Sequence, residues 1–375
     1  MELNECRNKI DAIDKEIVRL YEERMVVAEK VADYKILNGM NVLDRDRERS
    51  KINAVKSLTH SAFNSKGIEE LYNHIMSISR KRQYDILEER GIKGRLSFMQ
   101  KDKLDTDGAR IVYQGIEGAY SEEATIRYFG ENCNRVHVDT FKDAMGLIDE
   151  GLADFAVLPI ENSSAGIVTE NYDLLTKFEN YIVGTQIIDI KHCLAAKSGT
   201  EVDKITDVFS HEQAIRQCRD FLDAHRNITS HTCENTAMAA AYVANEDNDH
   251  KAAICSERCA KLHGLEILSK EINYSSKNST KFIIVTNQKI FLKNASKVSI
   301  CFEIPDNTGS LYHVLSLFYY NDVNMSHIES RPISEHPGEY RFFVDFEGNL
   351  AEASVRNALH GLREETVNMK VLGNY

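Results

Sequence analysis

A cation sits where an apolar side chain is expected. From Leu3 the apolar positions run Leu3, Cys6, Ile10, Ile13, Ile17, Leu20, then Val27, Val31 and Tyr34, and Arg24 occupies the missing step of that 3,4 spacing. A guanidinium does not give up its charge, so in an apolar seam it needs an anion. It can fix helix register or oligomer state, as a single polar seam residue does, or it can bind a ligand. Lys35 lies 11 residues on, about 20° off the same helical face, so Arg24 and Lys35 can grip two ends of a small anion. Arg7 lies 17 residues before Arg24, about 100° around a straight helix, so it does not easily join that grip from the same chain but could join it from a partner chain. Next comes Asp44-Arg-Asp-Arg47-Glu48-Arg. It reads as a charged, solvated helix start capped by Asp44, or as further polar groups for the same ligand. Gln83 follows in the segment SRKRQ.

A second set of polar residues lies beyond position 110. Gly115-I-E-Gly118-A-Y-Ser121 follows a strand-like run and enters a helix, which lets its amides cradle an anion. It is not a G-x-G-x-x-G fingerprint and none occurs elsewhere, so a nicotinamide enzyme is not expected. The apolar run DFAVLPI ends abruptly in Glu161-Asn162-Ser163-Ser164; such strand ends are capped turns or, in α/β sheets, ligand sites. Lys191-His192-Cys193-Leu194, Ser210-His211-Glu-Gln213 with Gln217-Cys218, and Asn278-Ser279-Thr280-Lys281-Phe282 add hydroxyls, amides and two histidines. His192 and His211 are candidate general acids or structural residues; Cys193 and Cys218 read as packing residues. Near the C-terminus, Asp306-Asn307-Thr308-Gly309-Ser310-Leu311 marks a turn where glycine admits close ligand approach, and Glu329-Ser330-Arg331-Pro332 ends a strand.

These residues must be held by elements that the rest of the sequence defines. A chain of 375 residues suggests two to three domains, and 42% hydrophobic with 28% charged residues is globular composition. The net charge of −12 argues against general nucleic-acid binding, so an anionic ligand must meet locally clustered Arg and Lys. There is no run of 18 apolar residues, and the start is charged and amphipathic; neither a membrane span nor a secretory signal is expected, and the expected location is cytoplasmic. Eight cysteines without C-x-x-C pairs, and histidines without H-E-x-x-H grouping, predict free thiols and no metal site. The four prolines lie at 159, 305, 332 and 337, which leaves long helices unbroken before them. Residues 1–90 read as an all-helical module, 91–109 as a linker, and 110–287 as alternating strands and helices of an α/β domain. Residues 296–375 read as βαββαβ, the ferredoxin-like order. The seam of the first helix, roughly 48 Å long, is expected against other helices or a second chain.

Arg7, Arg24, Lys35, Asp44, Arg47, Glu48 and Gln83 resemble, in order and spacing, the polar set of the all-helical chorismate mutases. The G-x-x-G opening, PIEN, KHCL, the Ser210 to Gln217 segment and NSTKF together resemble prephenate dehydratases, and the tail with its intact ESRP resembles ACT domains. The resemblance implies a multidomain chain: a helical mutase module, a two-lobed periplasmic-binding-protein-like α/β dehydratase domain, and a ferredoxin-like α+β ACT domain. It implies that Arg7, Arg24 and Arg47 meet the two carboxylates of chorismate, that Lys35 and Gln83 donate to the breaking ether oxygen, and that Glu48 accepts from the ring hydroxyl. It places a catalytic hydroxyl on Thr280, with Asn162, Ser210, Gln217 and Lys281 binding prephenate. It also gives phenylalanine as an effector at Gly309, Leu311, Glu329, Ser330, Arg331 and Pro332. No cofactor or metal is implied, and the expected assembly is a homodimer or higher homo-oligomer. Departures are Lys281 for arginine, Glu212 for proline in S-H-P-Q, and Ser310 and Tyr312 in the family's G-A-L-V. The rival readings are a non-enzymatic amino-acid sensor with a helical dimerisation module, and a mutase fused to prephenate dehydrogenase; the latter requires a dinucleotide fingerprint.

Overall fold

The structure, a computed structural model, describes the chain except residues 1, 93–96, 247–248, 275–276, 305–306 and 334–337. The described residues form two compact units, Met1–Ser97 with Ile300–Met369, and Phe98–Ser299 with Lys370–Tyr375. No helix among them is long and apolar enough to cross a membrane.

In the first unit, α1 (Leu3–Leu37) is the long helix that the 3,4 spacing predicts, and it stops at Asn38-Gly39, where Gly39 takes φ +63°. α2 (Arg45–Lys56) begins at Asp44, whose carboxylate accepts from the Arg47 amide at 3.0 Å, and Ser61 caps α3 (Ala62–Glu89) in the same way. The inner face of this module buries Ala32, Val42, Val55, Met76 and Ile86. The other face of α1 is left open: Ile10, Ile13 and Ile17 are each more than half exposed, a continuous apolar strip along the helix.

The second unit is a two-lobed α/β structure. The first lobe is built from β1 (Met99–Lys101), β2 (Arg110–Gln114), α4 (Tyr120–Phe129), β3 (Asn134–Val138), α5 (Phe141–Asp149), β4 (Phe155–Asn162), β5 (Gly166–Ile167), α6 (Thr169–Lys177) and β6 (Tyr181–Asp189). The chain then enters the second lobe: β7 (Cys193–Ala196), β8 (Asp207–His211), α7 (Glu212–Gln217), α8 (Arg219–Ala224), β9 (Thr229–Cys233), α9 (Thr236–Asn245), β10 (Lys251–Cys255), α10 (Glu257–Leu262) and β11 (Glu266–Ser269). It returns through β12 (Ser279–Thr286) and β13 (Ile290–Leu292). Lobe one pairs its strands in the order β3-β2-β4-β12-β6 and lobe two in the order β9-β8-β10-β7-β11. Each sheet has one antiparallel insertion, β12 between β4 and β6, and β7 beside β10. β1 pairs with β13 within the stretch read as linker; three residues with two polar side chains give no alternation to see. β7 and β11 also escaped the sequence reading: β7 is four fully buried residues, a run too short to show a period.

The C-terminal segment has the predicted βαββαβ order: β14 (Lys297–Ile304), α11 (Ser310–Tyr320), β15 (Met325–Pro332), β16 (Tyr340–Glu347), α12 (Ala353–Glu365) and β17 (Val367–Asn374), with strand order β15-β16-β14-β17. Phe302, Phe318, Phe343 and Phe346 fill its core.

Candidate active sites

In the helical module, six of the seven polar residues singled out in the sequence line one cavity of about 300 Å³: Arg24, Lys35, Asp44, Arg47, Glu48 and Gln83. Val27, Ala28, Val31, Val42 and Met76 supply its apolar wall. Arg7 is absent from it, as its helical phase requires. Asp44 both caps α2 and borders the cavity, so the cap and ligand readings are compatible. The Arg24 guanidinium donates to the Ser79 hydroxyl at 2.7 Å, and the Ser79 hydroxyl in turn donates to the Ile75 carbonyl at 2.7 Å. Gln83 donates to the Ser79 carbonyl at 3.2 Å, while its own side-chain oxygen is buried without a partner among the described residues. Lys35 donates to the Val42 carbonyl. Burial pulls the Lys35 ammonium below its ordinary range, against the attraction of Asp44 and Glu48. Two further residues complete this site, Lys51 and Ser79. Both were readable as helical neighbours: Lys51 stands four residues after Arg47, and Ser79 four before Gln83.

The second site is a cavity of about 330 Å³ between the lobes, at the carboxyl ends of β2, β4 and β8, where α/β sheets bind ligands. Asn162, Gln217 and Thr280 line it. Asn162 ends β4 beside Thr280 on β12, its register partner, and donates to the Thr280 hydroxyl at 2.9 Å and to the Asn278 side chain at 3.0 Å. The Asn162 oxygen accepts from the amides of Ser164 and Ala165 at 3.0 and 2.9 Å, so both ends of this side chain are fixed. In this bond the Thr280 hydroxyl is the acceptor, since an amide nitrogen can only donate, so the bond does not use the hydroxyl hydrogen. From Asn278 the chain of bonds continues to Gln217 at 3.0 Å, from Gln217 to the His192 ring at 3.1 Å, and from His192 to the Tyr120 hydroxyl at 3.1 Å.

Burial drives the His192 imidazole down to about 4, so near neutrality it is uncharged, with Nε2–H donating to Gln217. A buried neutral ring bonded at both nitrogens positions Gln217, which favours the structural reading over the general-acid one. His211 accepts from the Gln213 amide and caps α7, and burial lowers it too. Cys193 donates to the Cys255 carbonyl, and burial pushes Cys218 up to about 12, so both thiols pack.

Three expectations change here. Ser210 is fully buried and donates to the Ile254 carbonyl at 2.6 Å, away from the cavity. Lys281 follows Thr280 on a strand and so points to the opposite face; its ammonium lies over the Tyr375 ring. The glycines of the opening expected to cradle an anion have spent their amides, as has Ala119: Gly115 donates to Val138, Ala119 to Ile116, and Gly118 to the buried Glu122 carboxylate at 2.8 Å, which leaves only the α4 terminus at Tyr120 and Ser121 for that role. The opening remains a close-packed wall; a side chain at Gly118, which takes φ +87°, would press on Cys259. Among the described residues no lysine or arginine lines this cavity, so the expectation that an anion meets clustered Arg and Lys holds for the helical module and not here. The amino-terminal ends of α4 and α9 do, at Tyr120, Ser121 and Thr236, and supply positive potential without a formal charge.

In the C-terminal segment, Gly309 (φ +86°) and Leu311 line a cavity of about 240 Å³ with Tyr312 and Phe342. Glu329, Ser330, Arg331 and Pro332 lie on β15 and do not line it, because that strand is separated from β14 by β16. Asp306 lies outside the described residues.

Residues 6–84 match the chorismate mutase type II family and residues 111–290 the prephenate dehydratase family. The bifunctional chorismate mutase/prephenate dehydratase of Escherichia coli K12 is 30% identical over 376 residues, covering 98% of this chain and 95% of the relative. The chain belongs to that bifunctional family. It is an enzyme of phenylalanine biosynthesis with both activities, rearranging chorismate to prephenate and converting prephenate to phenylpyruvate. The sensor and dehydrogenase readings are not favoured. The chloroplastic arogenate dehydratase/prephenate dehydratase 2 of Arabidopsis thaliana is 36% identical over 277 residues, 71% of this chain and 72% of that protein. Among solved structures, the prephenate dehydratase of Arthrobacter aurescens in complex with L-Phe is 30% identical with a TM-score of 0.66, covering 71% of this chain and 89% of that one.

The His192 environment makes a pH prediction. Its folded value near 4 lies below the ordinary 6.5, so between these values the unfolded chain binds more protons and stability falls as pH drops. His192→Asn should lose less stability over that window than wild type, measured as urea midpoints at pH 7 and pH 5. Because Gln217 loses its donor, dehydratase turnover should drop about tenfold at both pH values.

Proposed function

We propose that the cavity between α1, α2 and α3 is the chorismate mutase site and the cleft between the two lobes is the prephenate dehydratase site. The observation that carries this reading is the convergence of residues distant in sequence on two separate cavities, Arg24 with Gln83 in one and Asn162 with Thr280 in the other. The mutase step is a unimolecular rearrangement that needs no base or nucleophile, only a fixed conformer and charge complementarity. Arg24 and Arg47 suit the carboxylates of chorismate, Lys35 and Gln83 the ether oxygen as its bond breaks, and Glu48 the ring hydroxyl. Lys51 adds a further cation.

In the dehydratase step the bond from the ring carbon to the carboxylate breaks, its electron pair enters the ring, and hydroxide leaves as water after taking a proton. Thr280, hydrogen-bonded by Asn162, gives its proton to the departing hydroxide and recovers one from solvent; Gln217 and the ends of α4 and α9 suit the anionic substrate. Neutral donors serve this step well, because a carboxylate about to leave as CO2 gains nothing from a tight ion pair. The βαββαβ topology, the left-handed Gly309 turn and the phenylalanine complex of the Arthrobacter relative support an ACT-type effector domain for phenylalanine. Gly309 and Leu311 are its contact residues; Ser310 and Tyr312 tune its affinity.

The two activities should separate. Arg24→Ala should lower mutase turnover by about 10² to 10³ and leave dehydration of supplied prephenate intact, while Thr280→Ala does the reverse. Loss of both activities in a folded single mutant would refute two separate sites.

The exposed apolar strip of α1 and the phase of Arg7 support an isologous dimer in which each chain lends Arg7 to its partner's mutase site. Mixing inactive Arg7→Ala and Lys35→Ala proteins under subunit exchange then restores activity. Half of the dimers are mixed, each with one complete site, so about a quarter of wild-type mutase activity should return. No recovery, with exchange verified by mass spectrometry, would confine Arg7 to its own chain.

A further inference from the structure

Arg80 was not among the residues that the sequence singled out. Its side chain is only 9% exposed and faces three carboxylates. One is Glu48 on α2, to which it donates. The others are Glu364 and Glu365 at the end of α12, at 3.9 and 3.0 Å. A guanidinium is a rigid planar fork, so holding it at one edge fixes the direction of the other.

We propose that Arg80 is a positioning residue of the mutase site, orienting Glu48, and that Glu364 and Glu365 of the C-terminal segment in turn orient Arg80. The proposal rests on the reading of Glu48 as a mutase residue. The acidic pair is presented at a set height by bonds one and two turns further along α3. Asn357 donates to Asp85 at 2.6 Å, and Arg356 grips Glu88 through two bonds at 2.8 and 2.5 Å. Tyr84, one turn from Arg80, donates to Glu364. With one cation shared among three acids, burial raises the Glu364 carboxyl, and Glu365 and Glu48 add to the rise against the pull of Tyr84 and Arg80. Removing Arg80 therefore does two things at once: it frees Glu48 and exposes it to two like charges. The same residues border a cavity of about 430 Å³ that reaches Ser310 and His313, the first turn of α11 after Gly309. The carboxylate of the mutase site and the turn assigned to the effector thus share one enclosure.

The test is steady-state mutase kinetics on the full chain, with helical circular dichroism and its thermal unfolding as the index of folding. Arg80→Gln should lower mutase kcat about thirtyfold with KM within about twofold, since a hydrogen bond to a charged group is lost. Glu364→Gln/Glu365→Gln should lower it about threefold, because Arg80 keeps Glu48 but loses its second anchor. The combined triple variant should be about threefold faster than Arg80→Gln alone, because Glu48 no longer faces two carboxylates. A salt bridge that merely held α12 in place would make the triple variant slower than Arg80→Gln, which overturns the proposal, as does wild-type kcat in Arg80→Gln. If Arg80→Gln does not fold, wild-type mutase kcat in the Glu364→Gln/Glu365→Gln protein overturns it. Glu48→Gln separates the two levels: unchanged mutase turnover there removes the reading of Glu48 itself, whereas a loss there with none in Arg80→Gln removes only the positioning role.

Discussion

Asn162 is buried at the end of a central strand and cannot be moved without disturbing everything around the dehydratase cleft. Its amide nitrogen is shared between the Thr280 hydroxyl, the Asn278 side chain and the Ser279 carbonyl, and its oxygen closes the turn at Ser164 and Ala165. A side chain satisfied at both ends has one orientation, and it makes Thr280 an acceptor toward Asn162, which leaves the hydroxyl hydrogen for the donor role proposed above. β12 returns from the second lobe to lie beside β4, and that topology brings residues 162 and 280 together. The fold and the chemistry meet in this one pair.

In the proposed assignment the two sites hold anions by different means. The helical module surrounds its cavity with Arg24, Lys35, Arg47 and Lys51, charges that complement a substrate keeping both carboxylates through the reaction. The cleft uses amides, hydroxyls and helix ends, which suit a substrate that must expel one carboxylate as CO2. A chain with a net charge of −12 gives neither site help from long-range attraction, so affinity depends on the preorganised groups themselves.

Much of this was legible in the sequence, for physical reasons. Arg24 was visible because it breaks a 3,4 apolar pattern, and α1 because that pattern is long. Arg7 was placed off the face of Arg24 and Lys35 by angle alone, and it is absent from their cavity. Ser210 and Lys281 were misplaced because a motif specifies neighbours along the chain but not which way each side chain points; strand alternation sends Lys281 away from Thr280, and Ser210 spends its hydroxyl on Ile254. The amides of Gly115 and Gly118 are lost to the cradle because their acceptors, Val138 and Glu122, are supplied by folding. Arg80 could not be read at all: its partners Glu364 and Glu365 lie some 285 residues away and meet it only when α12 packs on α3.

The most direct test of this account is a double-mutant cycle on dehydratase turnover with Asn162→Ala, Thr280→Val and both together, at saturating prephenate. If Asn162 works by directing Thr280, the double variant should be no slower than the slower single variant, within about twofold. Losses that multiply would show two independent contributions and contradict the claim that this bond organises the site.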